Sequence, residues 1–220
     1  MTSNRIIKDA LYEQVARIGK AVASPKRLEL LELLCQAPKT VETLAQEASI
    51  SVKLVSAHLK ELKASRLVDN VRQGKYMIYR IANDDVARFW VTIRLLAEDR
   101  LFELQDAVQQ LSANSHEWVE SDKQELLRKA NSGEIVVIDV RPEVEYLAGH
   151  LPFARSMPLG ELNKRLTELP NDRPIVAYCR GPFCFMSSDA VTFLRSQGLQ
   201  ASQLRDGIAE WNSTNTVISS

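Results

Sequence analysis

The chain has 220 residues, enough for one large domain or two small ones, and its 45% hydrophobic and 25% charged content is ordinary for a soluble globular protein. No apolar run approaches the length of a membrane span, and the N-terminal stretch Met1-Thr-Ser-Asn-Arg-Ile-Ile-Lys-Asp9 lacks a signal-peptide core, so a cytoplasmic location is expected, with no membrane partner. The formal net charge of +0 hides a division, 17 Lys/Arg against 14 Asp/Glu in residues 1–111 and 11 against 14 in residues 112–220, while three cysteines, an odd number, exclude a disulfide scaffold and favour a reactive thiol.

Taken in order, residues 5–22 place Ile6, Leu11, Val15, Ile18 and Val22 at helical spacing. Ser24-Pro25 reads as the cap and first position of a second helix, through Leu28, Leu30, Leu31, Leu33 and Leu34 to a stop at Pro38. Thr40 caps a short third helix carrying Val41, Leu44 and Ala45. Ser51 caps a fourth, from Val52 to about Ala64, with Leu54, Val55, Leu59 and Leu62 facing inward. The two short helices, joined by Ala48-Ser-Ile-Ser51, make a helix-turn-helix that leaves Lys53, Ser56, Ala57 and Lys60 on the outer side. Leu67 to Arg72 and Tyr76 to Ile81 alternate about a turn at Gln73-Gly74, which predicts a hairpin wing with Arg72, Lys75 and Arg80 near its tip or edge. From Asn83 a single long helix is expected to about Leu111. Its apolar surface exceeds what a small domain covers, which makes it, with the first helix, a dimer seam.

Within residues 51–80 seven basic residues (Lys53, Lys60, Lys63, Arg66, Arg72, Lys75, Arg80) face two acidic ones (Glu61, Asp69), the footprint of a nucleic-acid surface. Residues from about 10 to 105 resemble the ArsR family of winged-helix repressors, with Ser51-Val-Lys-Leu-Val-Ser-Ala-His-Leu-Lys-Glu-Leu62 matching its recognition helix. The resemblance implies a homodimer on double-stranded operator DNA, with one helix of each subunit in successive major grooves and half-sites roughly 10 base pairs apart. Lys53, Ser56 and His58 would reach base edges, with Ser51, Ala57, Lys60, Arg72, Lys75 and Tyr76 in the same interface. His58 has a second reading, as a residue packed against the helix before it. Metal sensing is not expected. The third helix reads Thr40-Val-Glu-Thr-Leu-Ala where many relatives have Cys-x-Cys, and the last helix has Asp84, Asp85, Glu98 and Asp99 but no histidine. Cys35 is either core filler beside Leu33 and Leu34 or a sulfur-accepting redox switch without the second cysteine that sulfide-responsive relatives use.

Ser112-Ala-Asn-Ser115 is a polar boundary, giving a linker over 112–119 between domains at 1–111 and 120–220. Ser121 to Lys129 reads as a helix. Ile135 to Ile138 is a buried strand, a helix follows from Pro142 to about Leu147, and Glu161 to Leu169 is helical. Ile175-Val-Ala-Tyr178 is a second buried strand. It breaks at Cys179 into a Gly/Pro turn, with Ser187-Ser188-Asp189 as helix-start chemistry ahead of Ala190. Gln200 to Leu204 and Asp206 to Trp211 complete an alternating βα pattern, hence a parallel sheet covered on both faces. A cysteine at the carboxyl end of a buried strand, ahead of a loop and a helix start, has surroundings that favour the thiolate, its reactive form. The other reading of Cys179 is a small buried apolar residue, against which the Gly-Pro turn after it argues for an exposed loop.

Four motifs in order resemble a rhodanese domain over about residues 120–213: Ile138-Asp-Val-Arg-Pro-Glu-Val-Glu-Tyr146, Ala148-Gly-His-Leu-Pro152, Tyr178-Cys-Arg-Gly181 and Leu204-Arg-Asp-Gly-Ile-Ala-Glu-Trp211. The resemblance implies an α/β rhodanese-like domain, after an α+β winged helix-turn-helix domain, in which Cys179 takes sulfane sulfur as a persulfide from a small donor such as thiosulfate, polysulfide or persulfide. The loop Arg180, Gly181, Pro182, Phe183 and Cys184 would cradle that anion, Asp139 and Arg141 would organise neighbouring loops by ion pairing, and His150 and Trp211 would be structural. The loop departs from the commoner form Cys-Arg-x-Gly-x-Arg. Pro182 stands at its fourth position and Cys184 at its sixth, which removes an anion-binding side chain and supplies a second thiol able to attack a Cys179 persulfide. Phe185 stands where a related phosphatase needs arginine. The expected function is a DNA-binding regulator whose operator affinity follows the sulfur state of Cys179, with no cofactor or metal. The rival is a sulfurtransferase with the winged helix as tether or dimerisation module.

Overall fold

In the computed structural model, which describes residues 3–113, 118–119 and 122–214, the chain divides into two compact units, Met1–Trp90 and Val91–Ser220. The first holds α1 (Ser3–Val22), α2 (Pro25–Gln36), β1 (Lys39–Thr40), α3 (Val41–Glu47), α4 (Val52–Ala64), β2 (Val68–Gln73) and β3 (Tyr76–Ile81). Leu30, Leu31, Leu33 and Leu34 lie on several sides of α2 and are all buried, because α2 packs against α1, α4 and β3. The Thr40 hydroxyl accepts from the Thr43 amide and the Ser51 hydroxyl from the Leu54 amide, so both predicted caps form. Ser24 stands at the N-cap of α2, but its side chain makes no cap bond. Ser49, in the left-handed region at φ 52°, makes the turn between α3 and α4.

Val55, Leu59 and Leu62, spaced i, i+4, i+7, are buried on α4. Leu54, expected inward, is 42% exposed, since it lies about 100° round the helix from Val55. The wing is an antiparallel pair from Val68↔Ile81 to Gln73↔Tyr76, with β1 joining β3 in the order β1-β3-β2. Its turn is Gly74–Lys75, one residue later than expected, because Gly74 at φ 60° supplies the positive angle a two-residue hairpin requires. On α1, Ile6, Leu11 and Val15 stay exposed while Val22 is buried.

Helix α5 (Asp84–Arg100), capped by the Asn83 side chain on the Val86 amide, crosses the boundary between the units. It does not continue to Leu111. The chain breaks at Leu101 and resumes as α6 (Phe102–Ala113). Gln105 marks the reason: its side-chain amide donates to the carbonyls of Glu98 (2.7 Å) and Asp99 (3.4 Å), satisfying the end of α5 in place of a continuing backbone.

The second unit continues with β4 (Trp118–Val119), α7 (Lys123–Asn131), β5 (Val136–Asp139), α8 (Glu143–Ala148), β6 (Arg155–Ser156), β7 (Ile175–Tyr178), α9 (Met186–Ser196), β8 (Ala201–Leu204) and α10 (Ile208–Thr214). The sheet is parallel throughout, in the order β4-β8-β7-β5-β6. Alternation splits its side chains between two cores. Ile138, Ala177 and Cys179 pack with Ala190, Val191 and Leu194 of α9. Val137, Val176 and Tyr178 pack with Leu126 of α7 and Trp211 of α10.

Two further elements differ from the sequence reading. Trp118 and Val119, placed in the linker, pair with β8, while Ser112 and Ala113 close α6; Asn114 and Ser115 lie outside the described residues. Glu161–Leu169 is not an α-helix but two 3-10 turns at Leu159–Glu161 and Leu166–Glu168. Leu162 and Leu169 are its buried anchors, and Arg165 bridges Glu161 and Glu168 outside.

Candidate functional sites

All seven basic residues of 51–80 are exposed, as are Ser51, Ser56 and Ala57 on the outer side of α4. The burial of Val55, Leu59 and Leu62 leaves these positions facing water. The Ser56 hydroxyl donates to the Val52 carbonyl (2.9 Å), and on the wing Lys75 lies over the exposed Tyr76 ring, 5.1 Å from its centre. His58 is half-buried. Burial and then the charge of Arg27 on α2 hold its pKa below the ordinary 6.5.

The second candidate site sits where the central strand β7 ends. Cys179 is 2% exposed, its sulfur 3.1 Å from the Ser187 hydroxyl, 3.4 Å from the Cys184 carbonyl and 3.9 Å from the Gly181 carbonyl. Burial alone would push the thiol's pKa up. Hydrogen bonds from the Cys184 thiol, the Ser187 hydroxyl and the Ser187 and Gly181 amides outweigh it and bring the pKa from the ordinary 9.0 down to about 7. The same contact acts oppositely on its neighbour: the bond to Cys179, then burial, push the Cys184 pKa up and keep its proton on. Ser187 was expected to start α9. Phe185 is the N-cap instead, and Ser187 stands in the first turn with its hydroxyl turned to the sulfur and receiving 2.9 Å from the Gln203 amide. That donation leaves the Ser187 proton for Cys179.

The arginine next to the thiol does not point at it. Arg180 binds the buried Glu145 of α8 through Nε (3.1 and 3.0 Å) and a terminal nitrogen (2.6 Å). Asp139 and Arg141, both 0% exposed, form a fork with contacts of 2.6–3.1 Å, Arg141 also donates to the Gly149 carbonyl, and the Tyr178 hydroxyl donates to Asp139 while accepting from the Leu151 amide. This pair therefore braces the residue before Cys179 and two flanking loops. His150 stacks on Tyr146, centroids 3.9 Å apart. Among the described residues no group of three or more His, Cys, Asp or Glu is arranged to hold a metal, and no helix is long and apolar enough to cross a membrane.

Residues 24–70 match the profile described as "Bacterial regulatory protein, arsR family", and residues 122–214 match "Rhodanese-like domain". The chain is 42% identical over 204 residues to HTH-type transcriptional regulator Rv0324 of Mycobacterium tuberculosis, covering 93% of this chain and 89% of that protein. The chain belongs to the ArsR family of regulators. It is an ArsR-type transcriptional regulator with a rhodanese-like domain in its second half. The chain is also 33% identical over 85 residues to a sulfurtransferase of Allochromatium vinosum, 38% of this chain and 78% of that one. Among solved structures, the homodimeric winged helix-turn-helix DNA-binding domain of Mb0332 from Mycobacterium bovis aligns at 40% identity over 47% of this chain and 94% of that chain, with a TM-score of 0.43.

In this ArsR-family chain the sequence reading missed several contributors to the thiol loop. Ser187 and Gln203 were hidden as an ordinary helix start and a strand residue. Glu145 could have been suspected as an acid within a motif otherwise turned inward. Gly207 carries the clearest steric signal: a Cβ there would lie 2.5 Å from the Arg180 carbonyl group and 2.8 Å from the Cys179 oxygen. Gly181, at φ 142°, would carry a Cβ 3.3 Å from both Glu210 carboxylate oxygens. Glu210 accepts from the Gly207 amide (2.9 Å) and from Arg94 of α5 (3.0 Å); its burial raises its carboxyl pKa while Arg94 pulls it back. Arg94, itself buried, also pairs with Glu98, lies 5.7 Å from the centre of the Phe183 ring, and Glu98 pairs with Arg205 (2.7 Å). Cys35 is half-buried on α2.

Proposed function

We propose that this ArsR-type regulator binds double-stranded operator DNA as a cytoplasmic homodimer, and that sulfane sulfur carried on Cys179 of its rhodanese-like domain changes operator affinity. The observation that carries the reading is the Cys179 environment, a strand-end thiol 3.1 Å from the Ser187 hydroxyl inside a turn closed by the Cys184 amide on the Gly181 carbonyl, with its pKa lowered. The Cys179 thiolate attacks a sulfane sulfur of a polysulfide. One bond forms between Sγ and that sulfur, the donor's S–S bond breaks, and the shortened polysulfide leaves with the electron pair. The Ser187 hydroxyl, which already accepts from Gln203, then donates to the persulfide anion. Arg180 is committed to Glu145, so the loop offers no cation of its own to thiosulfate, which favours polysulfide and a regulatory role over thiosulfate turnover.

Lys53 and Lys60 on α4 and Arg72 and Lys75 on the wing supply phosphate contacts, with Ser56 and His58 near base edges. The exposed Ile6, Leu11 and Val15 of α1 favour a second copy as the partner of that face. Coupling runs through α5. Its second half is tied by Arg94 and Glu98 to Glu210 and Arg205, and Arg94 and Glu210 touch Phe183 and Gly181 of the loop, while its first half, Asp84–Trp90, belongs to the DNA-reading unit. The test is an operator titration with and without polysulfide. Wild type is expected to change its Kd at least about tenfold and Cys179→Ser not at all; equal affinity in all four conditions contradicts the coupling.

A further inference from the structure

Cys184 forms no bond to the incoming sulfur in the capture step, yet the fold puts it against the sulfur that performs it. The turn after Cys179 folds back on itself, closed by the Cys184 amide donating to the Gly181 carbonyl (3.1 Å), and this brings the Cys184 carbonyl to 3.4 Å from Cys179 Sγ. Both sulfurs border the same apolar core, but Cys179 is sealed whereas Cys184 is only partly buried. The turn thus holds residue 184 against Cys179 Sγ through its backbone, with its own thiol bordering the same core and keeping its proton.

We infer that Cys184 is the resolving thiol of this site, converting a Cys179 persulfide into a Cys179–Cys184 disulfide with release of sulfide. This rests on the persulfide reading above. The Cys184 proton passes to the outer persulfide sulfur, the Cys184 thiolate so formed attacks Cys179 Sγ, and the bond from Sγ to the outer sulfur breaks with that sulfur taking the electron pair. The Cys184 proton leaves with it as hydrosulfide. The sulfane sulfur is the oxidant and is reduced to sulfide; the two cysteine sulfurs are oxidised to the disulfide, so no further reagent is needed. A cellular thiol resets the pair by exchange. Ser187, the other side chain on the sulfur, cannot perform this step, because a hydroxyl forms no disulfide. The consequence is a regulator that reads polysulfide but stores the signal as a closed loop, outlasting the donor.

Full-length wild type, C184S, C184A and C179S are treated anaerobically with sodium tetrasulfide, alkylated with iodoacetamide and digested with trypsin. Trypsin cuts between Arg180 and Gly181, so the two cysteines fall on separate peptides joined only by the disulfide. Wild type is expected to yield the joined pair with about one sulfide per disulfide. C184S and C184A are expected to keep one extra sulfur on Cys179, with a sulfide burst roughly tenfold smaller. The joined peptide in wild type is read without any variant, so a misfolded C184S leaves the test intact. Wild type that keeps the extra sulfur on Cys179 with Cys184 freely alkylated overturns the resolving role and leaves the persulfide reading standing. If wild type carries neither the extra sulfur on Cys179 nor the joined pair, the persulfide reading falls and the inference with it.

Discussion

Helix α4 and the loop 179–184 are both short, and both carry chemistry, but they are built in opposite senses. On α4 three apolar residues, Val55, Leu59 and Leu62, fix the helix and leave Lys53, Ser56, Ala57 and Lys60 in water. In the loop the reactive atom is turned inward, and buried polar groups from four other elements hold it: Glu145, Ser187, Gln203 and Glu210. An outward surface tolerates single substitutions, because each side chain contributes separately to contact with a long polyanion. An inward site fails through its supports, because an unpaired buried charge or a misplaced backbone is costly.

Substitutions in the two regions break this comparison in order of size. The largest effect falls on the fork under Tyr178: Asp139→Ala leaves Arg141 buried without its carboxylate and is expected to lower stability by about 3–5 kcal/mol in urea unfolding. Gly207→Ala drives a Cβ into the Arg180 carbonyl and is expected to cost about 1–3 kcal/mol, with loss of sulfur loading on Cys179 measured by peptide mass. Next comes Ser187→Ala, which removes a donor to the sulfur but leaves the fold. The thiol is an acid whose charged form is the thiolate, so losing a bond to that form raises its pKa from about 7 toward 9.0 and slows persulfidation at pH 7 roughly tenfold. The smallest change in stability belongs to α4. Lys53→Ala is expected to shift unfolding by less than about 0.5 kcal/mol while reducing the salt dependence of operator binding by about one phosphate contact, seen in anisotropy titrations at several ionic strengths. A Lys53→Ala variant that unfolds, or an Asp139→Ala variant that does not, would erase the distinction.

What the sequence made legible follows the same divide. Helix caps at Thr40 and Ser51, the glycine at the wing tip and the apolar runs of β5 and β7 are local signals, and each is found where its spacing places it. The strands β1, β4 and β6 have two residues each, too few for any alternation, and exist only because a neighbouring strand offers its edge. The break at Leu101 carries no glycine or proline; a glutamine four residues later makes it. At the thiol site the motif gave Cys179 and its loop, but not Ser187, since a serine at a helix start normally caps and this one serves a sulfur instead. Burial of the sulfur itself was not foreseen. The Gly-Pro turn suggested an open loop, but alternation along β7 turns position 179 to the α9 face of the core.

The account rests on a buried sulfur that is nonetheless anionic near neutral pH. Ultraviolet thiolate absorbance, titrated with pH in wild type and in Cys179→Ser, tests it without requiring any reagent to enter the loop. The difference between the two proteins is predicted to rise with pH through a midpoint near 7; a midpoint at or above the ordinary 9.0 would contradict it.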